Sequence, residues 1–195
     1  MASAAILMGG VARRLGGRNK AAIVVGGISI VERQLQALAG VTDDIMAVGR
    51  DAVHDERVRT VADRRPGMGP LAGLEAALEH ARDHSVLLLA CDMPYVTAPL
   101  LAHLVSLAPT ADAVVPRTDR GYHPLCAVYH RRCMEAVRRR LDTGALALQG
   151  LLQEITVRVV EGQELAQFGR ETRLLANANT PSDLDQIESF LNHKL

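Results

Sequence analysis

Short apolar runs alternate along the first half of the chain with segments whose apolar residues recur every three or four positions. Five runs predict β-strands: residues 3–8, 44–48, 57–62, 85–91 and 112–116. Residues 29–40 and 71–84 carry one apolar face each, the pattern of an amphipathic helix. The run SVLLLAC at 85–91 is apolar almost throughout, which is typical of a central parallel strand buried on both faces. This alternation predicts an α/β sheet with right-handed crossovers.

The second half is less regular. It predicts strands at 122–130 and 155–161 and helices at 131–141, 145–154 and 180–194. Pro124 lies near the start of its strand and has no backbone N–H, so we expect that strand near a sheet edge. The last helix opens with Thr-Pro and an acidic first turn, a favourable start. We find no repeat, low-complexity tract or linker, and expect one domain over residues 1–195.

The composition excludes several kinds of partner. The 195 residues include 22 basic residues (Lys and Arg) and 22 acidic residues (Asp and Glu). The chain therefore has no net charge that would attract nucleic acid or a membrane surface. Five aromatic residues are too few for a base-stacking platform. We therefore expect no nucleic-acid partner, and any positive patch must be local.

The three cysteines, Cys91, Cys126 and Cys133, form no C-x-x-C pair, and two lie within apolar runs. We expect small buried thiols in a reducing compartment rather than a disulfide or a zinc site. We find no signal peptide, and no apolar run approaches the roughly 18 residues that span a bilayer. The expected location is cytoplasmic, without membrane attachment.

The opening stretch ILMGGVARRLGGRNKAAI, residues 6–23, places four glycines and four cations directly after the first strand. A P-loop would need Ser or Thr after its lysine, but Ala21 follows Lys20. A dinucleotide fingerprint would need G-x-G-x-x-G leading straight into a helix, which this spacing does not provide. What remains is a long glycine-rich loop.

Glycines let backbone N–H groups approach an anion closely, and the cations supply charge. A triphosphate would use both, and of the two adjacent arginines we expect Arg14 to contact it, together with Lys20. The alternative is a mobile surface loop whose cations are only solvated. We favour phosphate binding because glycines and cations are concentrated together after a strand.

The segment LMGGVARRLGGRNK resembles the L-x-G-G-x-[SA]-x-R-[ML]-G-x-x-K signature of a nucleotidyltransferase family, and most closely the molybdenum cofactor guanylyltransferases. The resemblance continues in the family's order over nearly the whole chain, at VADRRPGMGPLAGL (61–74), LLLACDMPYV (87–96), HPLCAVY (123–129) and NANTPSDL (177–184). It implies a three-layer α/β/α Rossmann-like nucleotidyltransferase fold with a mostly parallel central sheet.

The resemblance also implies an activity: transfer of GMP from GTP to the molybdopterin cofactor, with Mg²⁺ and with release of pyrophosphate. Further expected partners are proteins that deliver the cofactor or molybdoenzymes that receive it, and the expected assembly is a monomer or weak dimer. The implied GTP-binding residues are Leu7, Met8, Gly9, Gly10, Lys20, Asp63, Gly69, Pro70, Leu71 and Asp92. The implied catalytic residues are Arg14, Lys20 and Asp92.

Asp92 follows the most apolar strand and is therefore expected at the carboxyl end of a central strand, where open α/β sheets bind ligands. A carboxylate there can bind Mg²⁺, which prefers one or two carboxylates plus phosphate oxygens. The alternative is that Asp92 caps the helix near 97, but Thr97 is better placed for that. The resemblance agrees with the metal role.

Asp63 ends the third strand and by resemblance lies near the base or ribose, although a turn residue or a partner of Arg64 or Arg65 would look the same in sequence. The segment GPLAG, with Gly69, Pro70 and Leu71, fits a helix start. By resemblance it lies beside the guanine. Together with Gly9-Gly10 it favours guanine over cytosine.

Three further residues are candidates for the acceptor side of the cleft. His123 lies on the strand that the resemblance places there, although a lone His is more often structural. Asn177 and Asn179 are two apart and so share one face of an extended segment. They either cap the helix at 181 or, by resemblance, reach into the cleft near the phosphates or metal.

Some features leave alternatives open. The basic helix 131–141 is either a solvated face, which we favour, or a docking surface for an acidic partner. Asn19, Met8 and the stretch AVGR (47–50) depart from the family's usual residues, which can alter affinity or base preference. Rival functions are a molybdopterin cytidylyltransferase, a sugar-1-phosphate nucleotidyltransferase and a non-enzymatic GTP-binding chaperone of the cofactor.

Overall fold

A computed structural model describes residues 1–8, 11–12, 18–19, 23–49 and 55–192. The strands in this part of the chain are β1 (Ser3–Leu7), β2 (Val11–Ala12), β3 (Arg18–Asn19), β4 (Val24–Val25), β5 (Ile28–Ser29), β6 (Ile45–Val48), β7 (Val58–Val61), β8 (Ser85–Ala90), β9 (Ala113–Thr118), β10 (Gly121–Tyr122), β11 (Cys126–His130) and β12 (Val157–Val160). The helices are α1 (Ile30–Leu38), α2 (Pro70–His80), α3 (Ala98–Leu107), α4 (Met134–Asp142), α5 (Leu148–Leu151), α6 (Gly162–Ala166), α7 (Glu171–Leu174) and α8 (Pro181–Asn192).

The central sheet has the strand order β10-β9-β11-β8-β1-β6-β7, and β12 pairs with β9. Strands β7, β6, β1 and β8 run parallel to one another, and β12 runs parallel to β9. Strand β11 runs antiparallel to both β8 and β9. The sheet is therefore mostly parallel, which confirms the sequence prediction.

Two cores cover the two faces of the sheet. Ala4 and Ile6 of β1 belong to a core shared with apolar residues of α1 and α3, whereas Ala5 and Leu7 belong to a core shared with α2 and α4. Successive residues of a strand point to opposite faces, so one strand contributes to both cores. This arrangement confirms the expected three layers. It also places β8, buried at all six positions, in the centre.

The strand around Pro124 does not lie at a sheet edge, contrary to the expectation from sequence. Strand β11 lies between β8 and β9, and its pairing begins at Cys126, opposite Leu89. Pro124 belongs to the turn before the paired residues, so its missing N–H removes no hydrogen bond from the ladder.

The expected helix at 145–154 is confined to α5, the four residues Leu148–Leu151. The chain after it continues in tight turns, in which the N–H groups of Gln153 and Glu154 donate to carbonyls only three residues earlier. The hairpin of β4 and β5 was not expected. Gly26 and Gly27 connect its strands with φ values of +59° and +82°, the backbone that two-residue hairpin turns favour.

The three cysteines are free and buried, as expected. Burial raises the pKa of Cys126 and of Cys133 to about 12, so both thiols are protonated near neutral pH. Within the described ranges, no helix has both the length and the apolar character needed to cross a membrane.

The order of the strands creates a switch point between β1 and β8. From β1 the chain proceeds to β6 and β7 on one side, and it then crosses to β8 on the other side. Ligands of open α/β sheets bind in the crevice that such a reversal leaves at the carboxyl ends of the strands. The site is therefore expected beyond Leu7 and Ala90, the last residues of β1 and β8.

Candidate functional site

A cavity of about 540 Å³ lies at this switch point. Its walls include the ends of β1, β6 and β8, the residues just after β7, and the start of α2. The described residues that line it are Leu7, Val48, Gly49, Asp63, Gly67, Gly69, Pro70, Gly73, Ala90, Cys91, Asp92, Leu125, Asn177 and Asn179. Six residues proposed from sequence as GTP or acceptor contacts are therefore brought together with Asp92, although they are far apart along the chain.

Asp92 lies two residues beyond the end of β8 and is 8% exposed. Its backbone carbonyl accepts a hydrogen bond of 2.8 Å from the N–H of Ala178, which joins it to the segment that carries the two asparagines. Thr97, and not Asp92, occupies the N-cap position of α3, although its hydroxyl makes no capping hydrogen bond. The structure thus leaves the Asp92 carboxylate at the cavity.

Gln34 of α1 was not identified from the sequence. It is fully buried, and its Nε2 donates to the carbonyls of Ala90 (2.7 Å) and Met93 (3.2 Å), which bracket Asp92 in the chain. A signal was present: Gln34 follows Ile30 by four residues, which places a polar side chain on the buried face of the helix. Gln34 therefore ties α1 to the segment that positions Asp92.

Asp63 lines the cavity and also forms a local turn, which agrees with the turn interpretation of its sequence position. Its Oδ1 accepts a 2.8 Å hydrogen bond from the N–H of Arg65. The guanidinium of Arg65 lies 3.1 Å from Glu75 and 2.7 Å from Asp142. The positive charge beside Asp63 is therefore already paired with other carboxylates.

The GPLAG segment starts α2, as expected. Gly69 is its N-cap at φ +73°, a left-handed conformation that favours glycine, and Pro70 is the first helical residue. A Cβ atom on Gly73 would lie 2.7 Å from Cδ2 of Leu7, so this glycine lets α2 approach β1 closely. The start of the helix is thereby held at the cavity wall.

Met8 and Leu71 lie in the core rather than among the lining residues that the structure describes. They are 3% and 0% exposed, respectively. The N–H of Met8 donates to the carbonyl of Val48 at 2.8 Å. Burial leaves little of either side chain for a ligand, so their proposed GTP contacts would come from backbone groups.

Asn177 and Asn179 both line the cavity, while Ala178 between them is fully buried. This alternation is what an extended segment requires. The start of α8 is capped by other side chains: Thr180 Oγ1 accepts from the N–H of Asp183, and Asp183 Oδ2 accepts from the N–H groups of Asn179 and Thr180. Side chains of Thr180 and Asp183 therefore supply these capping hydrogen bonds.

His123 lines a separate cavity of about 160 Å³, together with Arg120 and Glu171. Its Nε2 lies 3.0 Å from Thr118 Oγ1. Burial, and secondarily the charge of Arg120, lowers the pKa of His123, which favours the neutral ring. The structure thus places Leu125, and not His123, at the cavity that Asp92 lines.

The arginines of α4 pair with carboxylates of the same chain. Arg138 lies 2.6 Å from Glu79, and Arg139 lies 2.7 Å from Glu154, which also pairs with Arg140. These ion pairs leave less uncompensated charge for an acidic partner than the sequence suggests. They therefore weigh against the docking-surface interpretation of this helix.

Four of the residues proposed from sequence, Gly9, Gly10, Arg14 and Lys20, lie outside the residues that the structure describes. Over the described ranges, no three His, Cys, Asp or Glu side chains cluster to hold a metal ion by themselves. A donor set of one carboxylate, Asp92, near two amide side chains, Asn177 and Asn179, fits an ion that takes its other ligands from phosphate oxygens.

Comparisons with known proteins agree with this geometry. The family model of the MobA-like NTP transferase domain matches residues 4–159. The chain is 34% identical over 193 residues to the probable molybdenum cofactor guanylyltransferase of Bacillus licheniformis, with 95% of each chain covered. It is 29% identical over 189 residues to the molybdenum cofactor guanylyltransferase of Desulfosudis oleivorans, covering 95% of this chain and 94% of the relative.

Solved structures agree as well. The molybdopterin-guanine dinucleotide biosynthesis protein A from Archaeoglobus fulgidus has a TM-score of 0.84 and 28% identity, with coverage of 98% of this chain and 100% of that chain. The 2-C-methyl-D-erythritol 4-phosphate cytidylyltransferase from Thermus thermophilus has a TM-score of 0.72 at 18% identity, with the same coverage, and so bears on the fold alone. These similarities confirm the predicted Rossmann-like nucleotidyltransferase fold.

Proposed function

The chain belongs to the MobA-like NTP transferase family, and from that premise we propose that it transfers GMP from GTP to the molybdopterin cofactor. The products are molybdopterin guanine dinucleotide and pyrophosphate. One observation carries the proposal. Residues from three distant segments, around Leu7, from Asp63 to Gly69, and around Asp92, meet Asn177 in one cavity at the switch point of the sheet.

The nucleotide is proposed to lie across the ends of the parallel strands. Gly69 and Pro70 at the start of α2, together with Asp63, form the side assigned to guanine and ribose. The GPLAG segment and Gly9-Gly10 favour guanine over cytosine, because the related cytidylyltransferases usually carry different residues at both places. The phosphates would then extend toward Asp92.

Mg²⁺ is the proposed metal, and Asp92 is its proposed protein ligand. Mg²⁺ keeps several water ligands and is commonly held by one or two carboxylates plus substrate phosphates. When bound, it neutralises negative charge on the phosphates. Asp92 is buried, and the hydrogen bonds at the carbonyls of Ala90, Met93 and Asp92 hold the backbone that carries its carboxylate.

The proposed chemistry is an in-line displacement. A phosphate oxygen of molybdopterin attacks the α-phosphorus of GTP, the new P–O bond forms, and the bond to pyrophosphate breaks. The nucleophile is already ionised, so no general base is required. The barrier lies in bringing two anions together, and the residues therefore act by alignment and by offsetting charge.

The glycine-rich loop supplies the remaining charge in this proposal. The backbone N–H groups of residues 9–17 would hold the triphosphate, and Arg14 and Lys20 would offset its charge. These assignments come from the sequence alone. Asn177 and Asn179 would complete the phosphate or acceptor side with neutral donors and acceptors.

The location and partners are proposed on separate grounds. Three free, buried thiols suit a reducing compartment, and we place the reaction in the cytoplasm. Proteins that deliver the molybdenum cofactor, or molybdoenzymes that accept the product, are the proposed partners. The proposed assembly is a monomer or a weak dimer.

The test is an incubation with molybdopterin, Mg²⁺ and one of GTP, CTP, ATP or UTP. Pyrophosphate release and the mass of the dinucleotide product identify the base used. We expect molybdopterin guanine dinucleotide from GTP. Transfer of CMP would establish a cytidylyltransferase instead, and GTP binding without pyrophosphate release would indicate a cofactor chaperone.

Two substitutions test the assigned charges. Lys20→Ala and Asp92→Ala are each expected to lower turnover by about 10² to 10³, the usual effect of removing one preorganised charge. Asp185→Ala, which removes an exposed carboxylate on α8, is the matched control and should leave turnover unchanged. Near-normal turnover in either of the first two folded variants would refute the role of that residue.

A further inference from the structure

A second cavity, of about 450 Å³, opens beside the segment that follows Asp92. Tyr95 and Thr97 form one wall, the segment from Phe168 to Leu174 forms another, and Phe190 of α8 lies at the third. Tyr95 is three residues after Asp92, so their Cα atoms are at most about 11 Å apart. The cavity therefore lies close to the proposed site of phosphate chemistry.

Aromatic residues are concentrated in this cavity. The whole chain has three tyrosines, two phenylalanines and no tryptophan, and Tyr95, Phe168 and Phe190 all line this space. The Tyr95 and Phe190 rings meet edge to face, with centroids 5.9 Å apart. A chain this poor in aromatic residues thus places three of them around one opening.

The cavity is also positively charged. Arg170 and Arg173 line it, and no carboxylate does so among the described residues. The guanidinium of Arg173 lies 4.8 Å from the centroid of the Tyr95 ring, and that of Arg33 lies 6.0 Å from it. Burial raises the pKa of Tyr95, the charges of Arg173 and Arg33 lower it, and Glu188 of α8 raises it by less than either arginine lowers it.

Two comparisons separate this cavity from an ordinary surface gap. The arginines of α4 are held by Glu75, Glu79 and Glu154, whereas no ion pair within the described chain neutralises Arg170 or Arg173. In addition, the hydroxyl oxygen of Thr97 is buried at the cavity wall and has no hydrogen-bond partner in the described part of the structure. Rings, cations and a buried hydroxyl together suit a planar polar ligand.

We propose that this second cavity binds the pterin end of the acceptor. The inference rests on the proposed function and extends it: the acceptor's phosphate reaches the α-phosphate of GTP beside Asp92, while its ring system lies against Phe190 and the guanidinium of Arg173, which itself packs on the buried Tyr95 ring. The aminopyrimidinone ring of a pterin is flat, which suits stacking on aromatic rings and on a guanidinium plane. Its ring carbonyl and nitrogens accept hydrogen bonds from Arg170, Arg173 and Thr97.

The size of the cavity agrees with this occupant. Small-molecule sites usually have volumes of about 300–1,000 Å³ and are lined by apolar and aromatic side chains with a few polar groups. The chain from Arg173 to Asn177 connects the second cavity to the first, so the two ends of one acceptor can contact one continuous segment. Two substrates then meet end to end near Asp92.

The test uses 6-carboxypterin, which is fluorescent, as the probe. Its dissociation constant is measured by fluorescence titration for the wild-type protein and for the variants Arg170→Met and Arg173→Met. Arg82→Met is the matched control, because Arg82 is exposed and precedes β8 at the opposite end of that strand. All variants are first checked for an unchanged circular dichroism spectrum and melting temperature.

We expect each of the two cavity variants to weaken probe binding about tenfold, the control to match the wild type, and the probe to stay bound at saturating GTP. With the natural acceptor, Arg173→Met should raise the KM for molybdopterin and leave the KM for GTP unchanged. Undetectable probe binding, binding unaffected in both variants, or displacement of the probe by GTP would overturn the inference. If the wild type binds the probe but transfers no GMP, the proposed function fails while the pterin site stands.

Discussion

Replacing Gln34 with methionine tests whether a residue outside the cavity positions the carboxylate of Asp92. Methionine has nearly the same length and is unbranched, so it fills the same space without an amide. The substitution removes the two hydrogen bonds to the carbonyls of Ala90 and Met93, at 2.7 and 3.2 Å. Both carbonyls belong to the segment that carries Asp92, which lies between them.

The expected loss of stability follows from these two contacts. A buried carbonyl left without a partner costs about 1–3 kcal/mol. Removing the buried Oε1 of Gln34, which has no partner in the described part of the structure, offsets part of that cost. We expect a net loss of about 2–4 kcal/mol, which a domain with a stability of about 5–15 kcal/mol survives.

The expected effect on function is on metal affinity. Residues that orient a metal ligand typically change affinity by about 10- to 100-fold when they are replaced. We expect Gln34→Met to raise the Mg²⁺ concentration for half-maximal activity about tenfold, with a smaller change in kcat at saturating metal. Binding of Mn²⁺ in the presence of GTP, measured by electron paramagnetic resonance, gives the same comparison without turnover.

Gln36→Met is the control, because Gln36 is exposed on the same helix and its Nε2 donates to Glu32 Oε1, at 3.0 Å. Urea unfolding and the metal titrations are run on all three proteins. A destabilised Gln34→Met variant with wild-type metal affinity would refute the positioning role and leave a structural one. Wild-type stability and wild-type metal affinity together would refute the energetic argument as well.

Two further changes have expected outcomes. Gly73→Ala should push the side chain of Leu7 into the cavity and raise the KM for GTP severalfold at nearly constant melting temperature, because the new Cβ would lie 2.7 Å from Cδ2 of Leu7; an unchanged KM would contradict this. Burial raises the pKa of Asp44, but hydrogen bonds from Arg59, Ser3 and Arg82 outweigh it and lower the pKa from 3.8 to about 2. From pH 4 down to pH 2, the free energy of unfolding measured with urea should therefore fall by about 2 kcal/mol more for the wild type than for Asp44→Asn. An equal fall in both proteins would contradict this.

The sequence was sufficient for most of the sheet because its strands are buried on both faces. Runs such as 85–91, in which every position after Ser85 is apolar, leave little choice of structure. The turn before β11 was harder to predict. Pro124 removes a hydrogen bond only at its own position. It therefore does not predict whether β11, whose pairing begins two residues later, lies at the edge or inside the sheet.

The site could be predicted where its residues follow strand ends or lie in the segments GPLAG and NANT that carry the family resemblance. Asp63 and Asp92 follow strand ends, and both reach the cavity. Leu125 and Gly49 do not stand out in sequence, because they line the cavity through the placement of their backbone. Gln34 was missed although its position on the buried face of α1 is a visible signal: one polar residue among apolar ones does not reveal which distant carbonyl it contacts.

Because β11 runs antiparallel to β8, the two strands meet the rim of the cavity differently, and we expect the two sides to differ in how well they tolerate insertions. The parallel strands reach the rim at their ends. An insertion near Asp92 would therefore disrupt the hydrogen bonds from Gln34 and Ala178 that hold the backbone around this carboxylate. Strand β11 reaches the rim at its beginning, through the turn at residues 124–125, in which Leu125 lines the cavity. A change in the length or sequence of that turn can therefore alter the binding site of the acceptor while the nucleotide-binding site keeps its shape.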